Sequence, residues 1–453
     1  MGNQKNGLPA EMNSLEALKT EDFMDINRRT AYAALFETEE KGAYSNIAVN
    51  NAVKKNHPDD EAFVRNLVYG VLENQIYIDY MLDGLIRSGI KKVNPRARIL
   101  LRMGAYQIEF MNSVPEYTAV DETVKLAKKL CRGLSGFING VLRSYIRNEK
   151  RPLPDRSADF SGWCSVKYSY SRDIADMWIS MFGPERAEKL MAAGNTAPKL
   201  SICVNTLKTT SESLSEVLEE KGFEVSRPHT DDTALLEHVL FVKGSGLLNT
   251  DEFSRGLFYV QDMSSMEAVS SLAPEPGEKL IDICAAPGGK SFFSSMLMKN
   301  SGNIVTCDIY DHKLKLIEET ASRLGIKIIK TMKNDGSKSR ESFVGSADRV
   351  IADVPCSGLG VVRRRPEIKT RFNRKGLEEL ADLQLQILVS SAPYVKKHGK
   401  LIYSTCTISD MENERVKNKF LKKFPNFFVK NEKQLLFDID ETDGFYFCVF
   451  ERL

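Results

Sequence analysis

Apolar residues return at three- and four-residue intervals through "RRTAYAALFETEEKGAYSNIAVNNAV", "DEAFVRNLVYGVLENQIYIDYMLDGLI", "NPRARILLRMGAYQIEFM", "PEYTAVDETVKLAKKL" and "LSGFINGVLRSYIRN". That spacing gathers them on one face of a helix, so residues 23 to 150 predict a compact all-helical bundle. Asn94 and Pro95 supply a cap and a first helical position for the third segment. Seven arginines of this region, at positions 28, 29, 65, 96, 98, 102 and 143, either line a nucleic-acid face or occupy outer helix surfaces with no such use. The breaker-rich stretch "NEKRPLPDRSADFSG", 148 to 162, then marks a boundary.

Beyond it the period changes. "DIADMWISMFGPERAEKLMAAG" reads as a helix pair, "KLSICVNTLK" as a strand, "SESLSEVLEEKGF" as a helix and "VLFVKG" as a second strand, which together make a small α+β unit. From residue 257 short apolar strands alternate with helical segments: "KLIDIC" (279 to 284), "NIVTCD" (303 to 308), "IKIIKTM" (326 to 332), "ADRVIAD" (347 to 353) and "GKLIYSTC" (399 to 406). Such runs divided by crossover helices specify a mostly parallel sheet covered on both faces. Three domains are therefore expected, over 1–150, 151–250 and 251–453. Ligands and chemistry are expected at the carboxyl ends of the strands of the last one.

Composition narrows the class. With 453 residues, 42% hydrophobic and 27% charged, the chain has the size and balance of a multidomain globular protein. No apolar run approaches the length of a membrane span. The opening "MGNQKNGLPAEMNSLEALKT" has no signal-peptide pattern, and Asn6 stands where a myristoylation signal wants Ser or Thr, so a cytoplasmic protein is expected. The eight cysteines include no CxxC pair, which argues against a structural zinc site; no metal is expected. The net charge of +2 says little about partners, but "RRRPEIKTRFNRK" (363 to 375) carries seven basic residues against one acidic. It either holds several phosphates or is a solvated loop.

The strand ends carry the chemistry. After the first α/β strand comes "DICAAPGGK", 282 to 290. It is no phosphate-binding P-loop, because Cys284 stands where the first glycine of that pattern is required, and no GxGxxG is present. What remains is a turn in which Gly288 and Gly289 allow close backbone approach. Asp308 ends the second strand, where a carboxylate can accept from a ribose hydroxyl, and Asp335 follows the third, placed to receive an adenine amino group. An adenosine-like cofactor follows, seated on Cys284, Ala285, Ala286, Pro287, Gly288, Gly289, Lys290, Asp308, Asp335 and Asp353. The fourth and fifth strands, predicted to be neighbours, end "IADVPCSG" and "LIYSTCT" and bring Cys356 and Cys406 to one cleft wall. A thiolate there is a nucleophile for an unreactive ring carbon. Addition at carbon 6 of cytosine makes carbon 5 able to take a methyl group from a sulfonium donor, with Asp353 at the base's N3/N4 edge.

These motifs, "DICAAPGGK", "DVPCSG" (353 to 358), "STCT" (404 to 407) with "ENE" (412 to 414), and "DGFYF" (443 to 447), resemble those of the S-adenosylmethionine-dependent RNA cytosine-5 methyltransferases. The resemblance covers essentially the whole chain. "GLFYVQDMSS" (256 to 265) looks like the family's lead-in helix, and the helical region is similar to a NusB-like RNA-binding domain. It implies a multidomain fold: an N-terminal all-helical NusB-like bundle, a small α+β linker domain, and a C-terminal Rossmann-like α/β methyltransferase domain with a mostly parallel sheet. It also implies S-adenosylmethionine as cofactor, with Cys406 as nucleophile, Cys356 assisting product release, Asp353 on the target cytosine, and Asp308 and Asp335 on the cofactor's ribose and adenine. The combination resembles the enzymes that act on 16S ribosomal RNA or an early small-subunit assembly intermediate, as a monomer and with no membrane partner. A transfer RNA substrate and a non-catalytic RNA-binding assembly factor are the alternatives. Stacking partners for a flipped base are sought in Phe372, Tyr259 and Phe258. Cys203 departs from the family's usual Arg, and "KKHGK" (396 to 400) from its Pro-Gly-Gly.

Overall fold

The structure is a computed structural model, and it describes residues 25–453. Residues 1–24, which hold the start of the first expected domain and the first two positions of the helical region, lie outside the described residues. The chain divides into two compact units.

The helical unit runs to Arg172 and also takes in Arg365–Thr370. Its helices are α1 (Ile26–Lys41), α2 (Ser45–Asn56), α3 (Glu61–Glu73), α4 (Gln75–Asp83), α5 (Pro95–Phe110), α6 (Glu116–Leu130), α7 (Ser135–Arg147) and α8 (Phe160–Tyr168). The first long periodic segment breaks at Gly42, whose φ of 73° caps α1 in the left-handed region. Asn94 caps α5 as its position predicts, its side chain accepting from the Arg96 N–H at 3.0 Å with Pro95 following. The recurring apolar positions, Leu35, Val49, Val64, Leu67, Leu100 and Leu142 among them, fuse into one buried core.

Two of the seven arginines serve this interior rather than a nucleic-acid face. Arg102 is buried and grips Asp79 with two parallel hydrogen bonds of 2.7 and 2.6 Å while pairing with Glu39. Arg28, also buried, donates to Gln107 at 2.7 Å and pairs with Asp25. A buried guanidinium needs such carboxylates because desolvation would otherwise dominate. Arg29 and Arg96 are exposed.

The second unit opens at Asp173, the second residue of α9 (Arg172–Phe182), which with α10 (Pro184–Ala193) makes the expected helix pair, divided at Gly183. A four-stranded antiparallel sheet follows in the order β2-β3-β1-β4, from β1 (Ser201–Val204), β2 (Glu224–Ser226), β3 (Val239–Lys243) and β4 (Phe258–Val260), with α11 (Ser211–Glu220) between the first two. The stretch read as a lead-in helix thus begins as strand β4. The helix itself, α12 (Met263–Leu272), starts only where the Asp262 carboxylate accepts from the Ser264 N–H.

The main sheet has seven strands in the order β10-β11-β9-β8-β5-β6-β7. They are β5 (Lys279–Asp282), β6 (Asn303–Asp308), β7 (Ile329–Lys333), β8 (Ala347–Asp353), β9 (Val395–Thr405), β10 (Phe427–Leu435) and β11 (Phe445–Arg452). Strands β9, β8, β5, β6 and β7 are parallel, and β11 and β10 add an antiparallel edge. Alternate residues feed two cores. Leu280, Ile304, Ile351 and Ile402 pack with α12, α13 (Gly289–Leu297) and α14 (Asp311–Leu324); Ile281, Val305, Val350 and Leu401 pack with α15 (Arg374–Ser391) and α16 (Glu414–Lys423). Both faces of the central strands are therefore covered, which is why β5, β6 and β8 are buried at nearly every position. From β5 the chain proceeds to β6 and β7 on one side and to β8 and β9 on the other. The carboxyl ends of β5 and β8 flank that switch point, where an open α/β sheet leaves a crevice.

Candidate active site

Strand β5 ends on Asp282, fully buried, whose Oδ2 accepts from the Ser291 hydroxyl at 2.7 Å while Oδ1 has no protein partner. Burial raises its pKa from 3.8 to about 7. The chain then turns through 283–288 into α13. Gly288 sits at φ 105°, and a Cβ there would meet the Phe292 ring at 2.5 Å. The constraint at Gly288 is thus internal to the turn. Cys284 is half-buried, and burial pushes its thiol pKa up.

Asp308 ends β6, buried, with Oδ1 accepting from the Tyr310 N–H at 3.0 Å and Lys313 at 3.8 Å from Oδ2. Asp335 lies in the turn after β7. The Ser337 hydroxyl and N–H both bind its Oδ1, at 2.6 and 3.1 Å, and these bonds, with Lys338 at 3.0 Å, pull its pKa to about 2. Beside it the buried Asn334 Nδ2 has no partner in the protein. An unused acceptor on Asp282, an unused donor on Asn334 and the lightly engaged Asp308 suit a polar, nucleoside-bearing ligand along these strand ends.

The residues expected to carry the chemistry lie at and just beyond the ends of β8 and β9. Asp353 and Ser404 are register partners on these parallel strands, and the Ser404 hydroxyl donates to Asp353 Oδ1 at 2.7 Å. Lys290 reaches across from α13 to pair with Asp353 Oδ2 at 2.6 Å, its ammonium 5.1 Å from the centre of the Phe445 ring. Just beyond the strands, Cys356 Sγ and Cys406 Sγ stand 3.1 Å apart. The hydrogen bond to Cys406, reinforced by burial, drives the Cys356 pKa well above its ordinary value, so this thiol keeps its proton.

The structure therefore gathers Lys290, Asp353, Cys356 and Cys406 in one cluster. It also adds residues that the motif reading left without a role. Ser404 orients Asp353, and Glu412 and Gln384 lie behind the cysteines, Gln384 Nε2 donating to Glu412 at 2.9 Å. Gln384 carries no sequence signal, since its helix faces neighbours nearly thirty residues away. Glu412 did carry one: a carboxylate in the hydroxyl-rich "STCTISDMENE".

Other expectations change. Phe258 and Tyr259 are buried in the core, and the Tyr259 hydroxyl donates to Gln261 at 2.6 Å, so neither is a stacking platform. Phe372 lines a cavity of about 710 Å³ with Met177, Leu377, Asn413 and Tyr446. The basic run is divided between residues paired or buried within the protein and residues left exposed. Arg363 pairs with buried Asp443 at 3.2 Å, and Arg364 pairs with Asp443 and, at 3.0 Å, with Asp262. Lys369 is buried in the helical unit and donates to the Glu73 carbonyl at 2.8 Å. Arg374 and Lys375 stay exposed. Among the described residues no His, Cys, Asp and Glu group is arranged to hold a metal ion, and no helix is long and apolar enough to cross a membrane.

Comparison with known proteins identifies the family. Residues 269–446 match the family described as 16S rRNA methyltransferase RsmB/F, residues 25–147 the NusB family, and residues 174–240 the ferredoxin-like domain of RsmF/B-like methyltransferases. The chain is 36% identical over 442 residues to "Probable ribosomal RNA small subunit methyltransferase B" of Bacillus subtilis (strain 168), covering 93% of this chain and 97% of the relative. It is 29% identical over 438 residues to "Ribosomal RNA small subunit methyltransferase B" of Escherichia coli O17:K52:H18 (strain UMN026), covering 93% and 97%. Among solved structures, the crystal structure of PH0851 superposes with a TM-score of 0.82 at 25% identity, over 95% of this chain and 99% of that one. A methyltransferase homolog protein from Pyrococcus horikoshii superposes at 0.57 with 28% identity, over 64% and 98%.

Proposed function

Because the chain belongs to the RsmB/F family of 16S rRNA methyltransferases and is an S-adenosylmethionine-dependent methyltransferase, we propose that it methylates carbon 5 of a cytosine in 16S ribosomal RNA through a covalent bond to Cys406. The observation that carries this reading is the pair of sulfurs 3.1 Å apart beside the Lys290–Asp353 ion pair.

S-adenosylmethionine, when bound, supplies a methyl group on a positively charged sulfur. Residues 284–290 and Asp308 would hold it, with Asp335 toward its adenine. Cys406, as thiolate, donates an electron pair to carbon 6 of the base and forms the S–C6 bond. The displaced ring electrons make carbon 5 nucleophilic, the form in which it could accept the cofactor's methyl group. Asp353, held by Lys290 and Ser404, shares a proton at the N3/N4 edge and so stabilises charge developing on the ring. Loss of the carbon 5 proton restores the double bond and expels Cys406 as thiolate. Cys356, which keeps its proton beside Cys406, assists this last stage. The balance is one 5-methylcytosine, one S-adenosylhomocysteine and one proton per turnover.

The ribosomal substrate rests on the two relatives' names and on the NusB family match. On this reading residues 1–150, the greater part of the helical unit, serve RNA, the segment 151–250 links, and 251–453 carries the chemistry, in a cytoplasmic monomer acting on 16S RNA or an early small-subunit intermediate. Labelled RNA, incubated with each variant and S-adenosylmethionine and run on a denaturing gel, tests the mechanism. Cys406→Ala gives neither 5-methylcytosine nor a covalent complex; Cys356→Ala accumulates a denaturation-resistant one. A trapped complex in Cys406→Ala that vanishes on also changing Cys356 would reverse the two assignments. Mapping 5-methylcytosine in small-subunit and transfer RNA, with and without the gene, tests the substrate.

A further inference from the structure

The residues that follow the two cysteines, Ser357 and Thr407, converge on one side chain. Glu412 Oε1 accepts from the Ser357 N–H at 2.8 Å. Its Oε2 accepts from the Ser357 hydroxyl at 2.6 Å and from the Thr407 hydroxyl at 3.3 Å. The two hydroxyls are themselves 2.7 Å apart. Gln384 Nε2 donates both to Glu412 Oε1 and to the carbonyl of Pro355, each at 2.9 Å, so the residue on the other side of Cys356 is fastened to the same group. One carboxyl thus ties down the backbone before and after Cys356 and the residue after Cys406.

Glu412 is completely buried, and all of these partners are neutral. Burying a carboxylate without a countercharge is costly, and here burial raises its pKa. What the position gains is reach and acceptor capacity, since a carboxylate offers about four lone-pair sites on two oxygens.

We propose that Glu412 is a positioning residue for the methyl transfer, holding the loop of Cys356 and the loop of Cys406 so that the two sulfurs stay at their observed separation. The inference rests on the roles given to the cysteines above. Glu412 bonds to neither sulfur: its charge is a lesser contribution to the raised Cys356 pKa, and its hold on the two loops is the role assigned to it.

The test uses two variants of the full chain. Glu412→Asp keeps the charge but retracts the carboxyl by one methylene; Glu412→Gln loses the charge but keeps the reach. In the Gln variant the Ser357 and Thr407 hydroxyls can rotate to accept from the new amide. For each, kcat and KM on RNA are measured, with S-adenosylmethionine affinity by calorimetry. A second readout needs no RNA: diamide takes up two electrons and two thiol protons as the Cys356–Cys406 disulfide forms, and peptide mass spectrometry follows the rate. Glu412→Asp is expected to lower kcat by roughly 10²-fold and to slow the cross-link, with KM and cofactor affinity near wild type. Glu412→Gln is expected to keep both rates near wild type. An Asp variant with wild-type kcat and cross-linking overturns the proposal, and so does a Gln variant as impaired as the Asp variant. If the wild-type chain transfers no methyl to RNA, the functional reading fails instead, and the cross-linking rates alone still decide whether Glu412 holds the sulfurs.

Discussion

Asp282 shows how a single carboxyl at the switch point stores a cost in the folded chain. Its pKa rises from 3.8 to about 7 on burial, so folding favours its protonated form. For an acid shifted upward, the associated stability is full below the ordinary value and is lost as pH rises through the folded one. Stability contributed by this group therefore falls between about pH 4 and pH 7 and is flat above. Asp282→Asn keeps an acceptor for Ser291 and removes the titration. The melting temperature of the variant relative to wild type, both without cofactor, is expected to climb across that window, by the equivalent of up to roughly 4 kcal/mol between the limits. Parallel melting curves from pH 5 to pH 8 would rule the account out. The sequence placed Asp282 at a strand end but could not show that one oxygen has no partner, because solvation depends on what the rest of the sheet excludes.

At the level of elements, the ion pairs of the 363–364 segment make a sharper claim than its charge suggests. Asp443, only 3% exposed at its side chain, sits between Arg363 and Arg364. Asp443→Ala leaves Arg363, itself 8% exposed, facing no carboxylate there, and removal of one partner of such a pair costs on the order of 3 to 5 kcal/mol. Denaturation in urea should show that loss, and a midpoint equal to wild type would show the pair to be idle. The central parallel strands were legible because burial on both faces leaves short apolar runs, such as Ile304 and Val305 in β6 and Val350, Ile351 and Ala352 in β8. The last two were not: β10, "FFVKNEKQL", is exposed along most of its length and carries a bulge between Val429 and Asn431, as an edge strand must to avoid pairing with another chain. The cysteines, Asp353 and Lys290 were legible as motif residues because each lies at a strand end or in the Gly-Gly turn. The true partners of the basic run were not, since Asp443 and Asp262 lie 79 and 102 residues from Arg364 and a charge run shows nothing of carboxylates that folding brings to it.

Across the whole molecule the chain makes one short excursion: Arg365–Thr370 belongs to the helical unit although its neighbours in sequence belong to the other. Glu367 accepts at 3.1 Å from the Ser45 N–H at the start of α2, where Tyr44 offers no side-chain cap, and Lys369 donates to the last residue of α3. Opposite charges thus meet opposite helix ends. In the full chain the bond after Lys369 should resist trypsin. In a chain beginning at Asp173, shown by calorimetry to bind S-adenosylmethionine, it should be cut readily, and equal cutting rates would mean the helical unit does not protect it. A consequence follows for synthesis. The helical unit leaves the ribosome first, yet the group that satisfies the start of α2 is 322 residues downstream, which at 5–20 residues per second is a wait on the order of tens of seconds. During translation the start of α2 and the end of α3 therefore wait, without these two partners, for a segment made long after them.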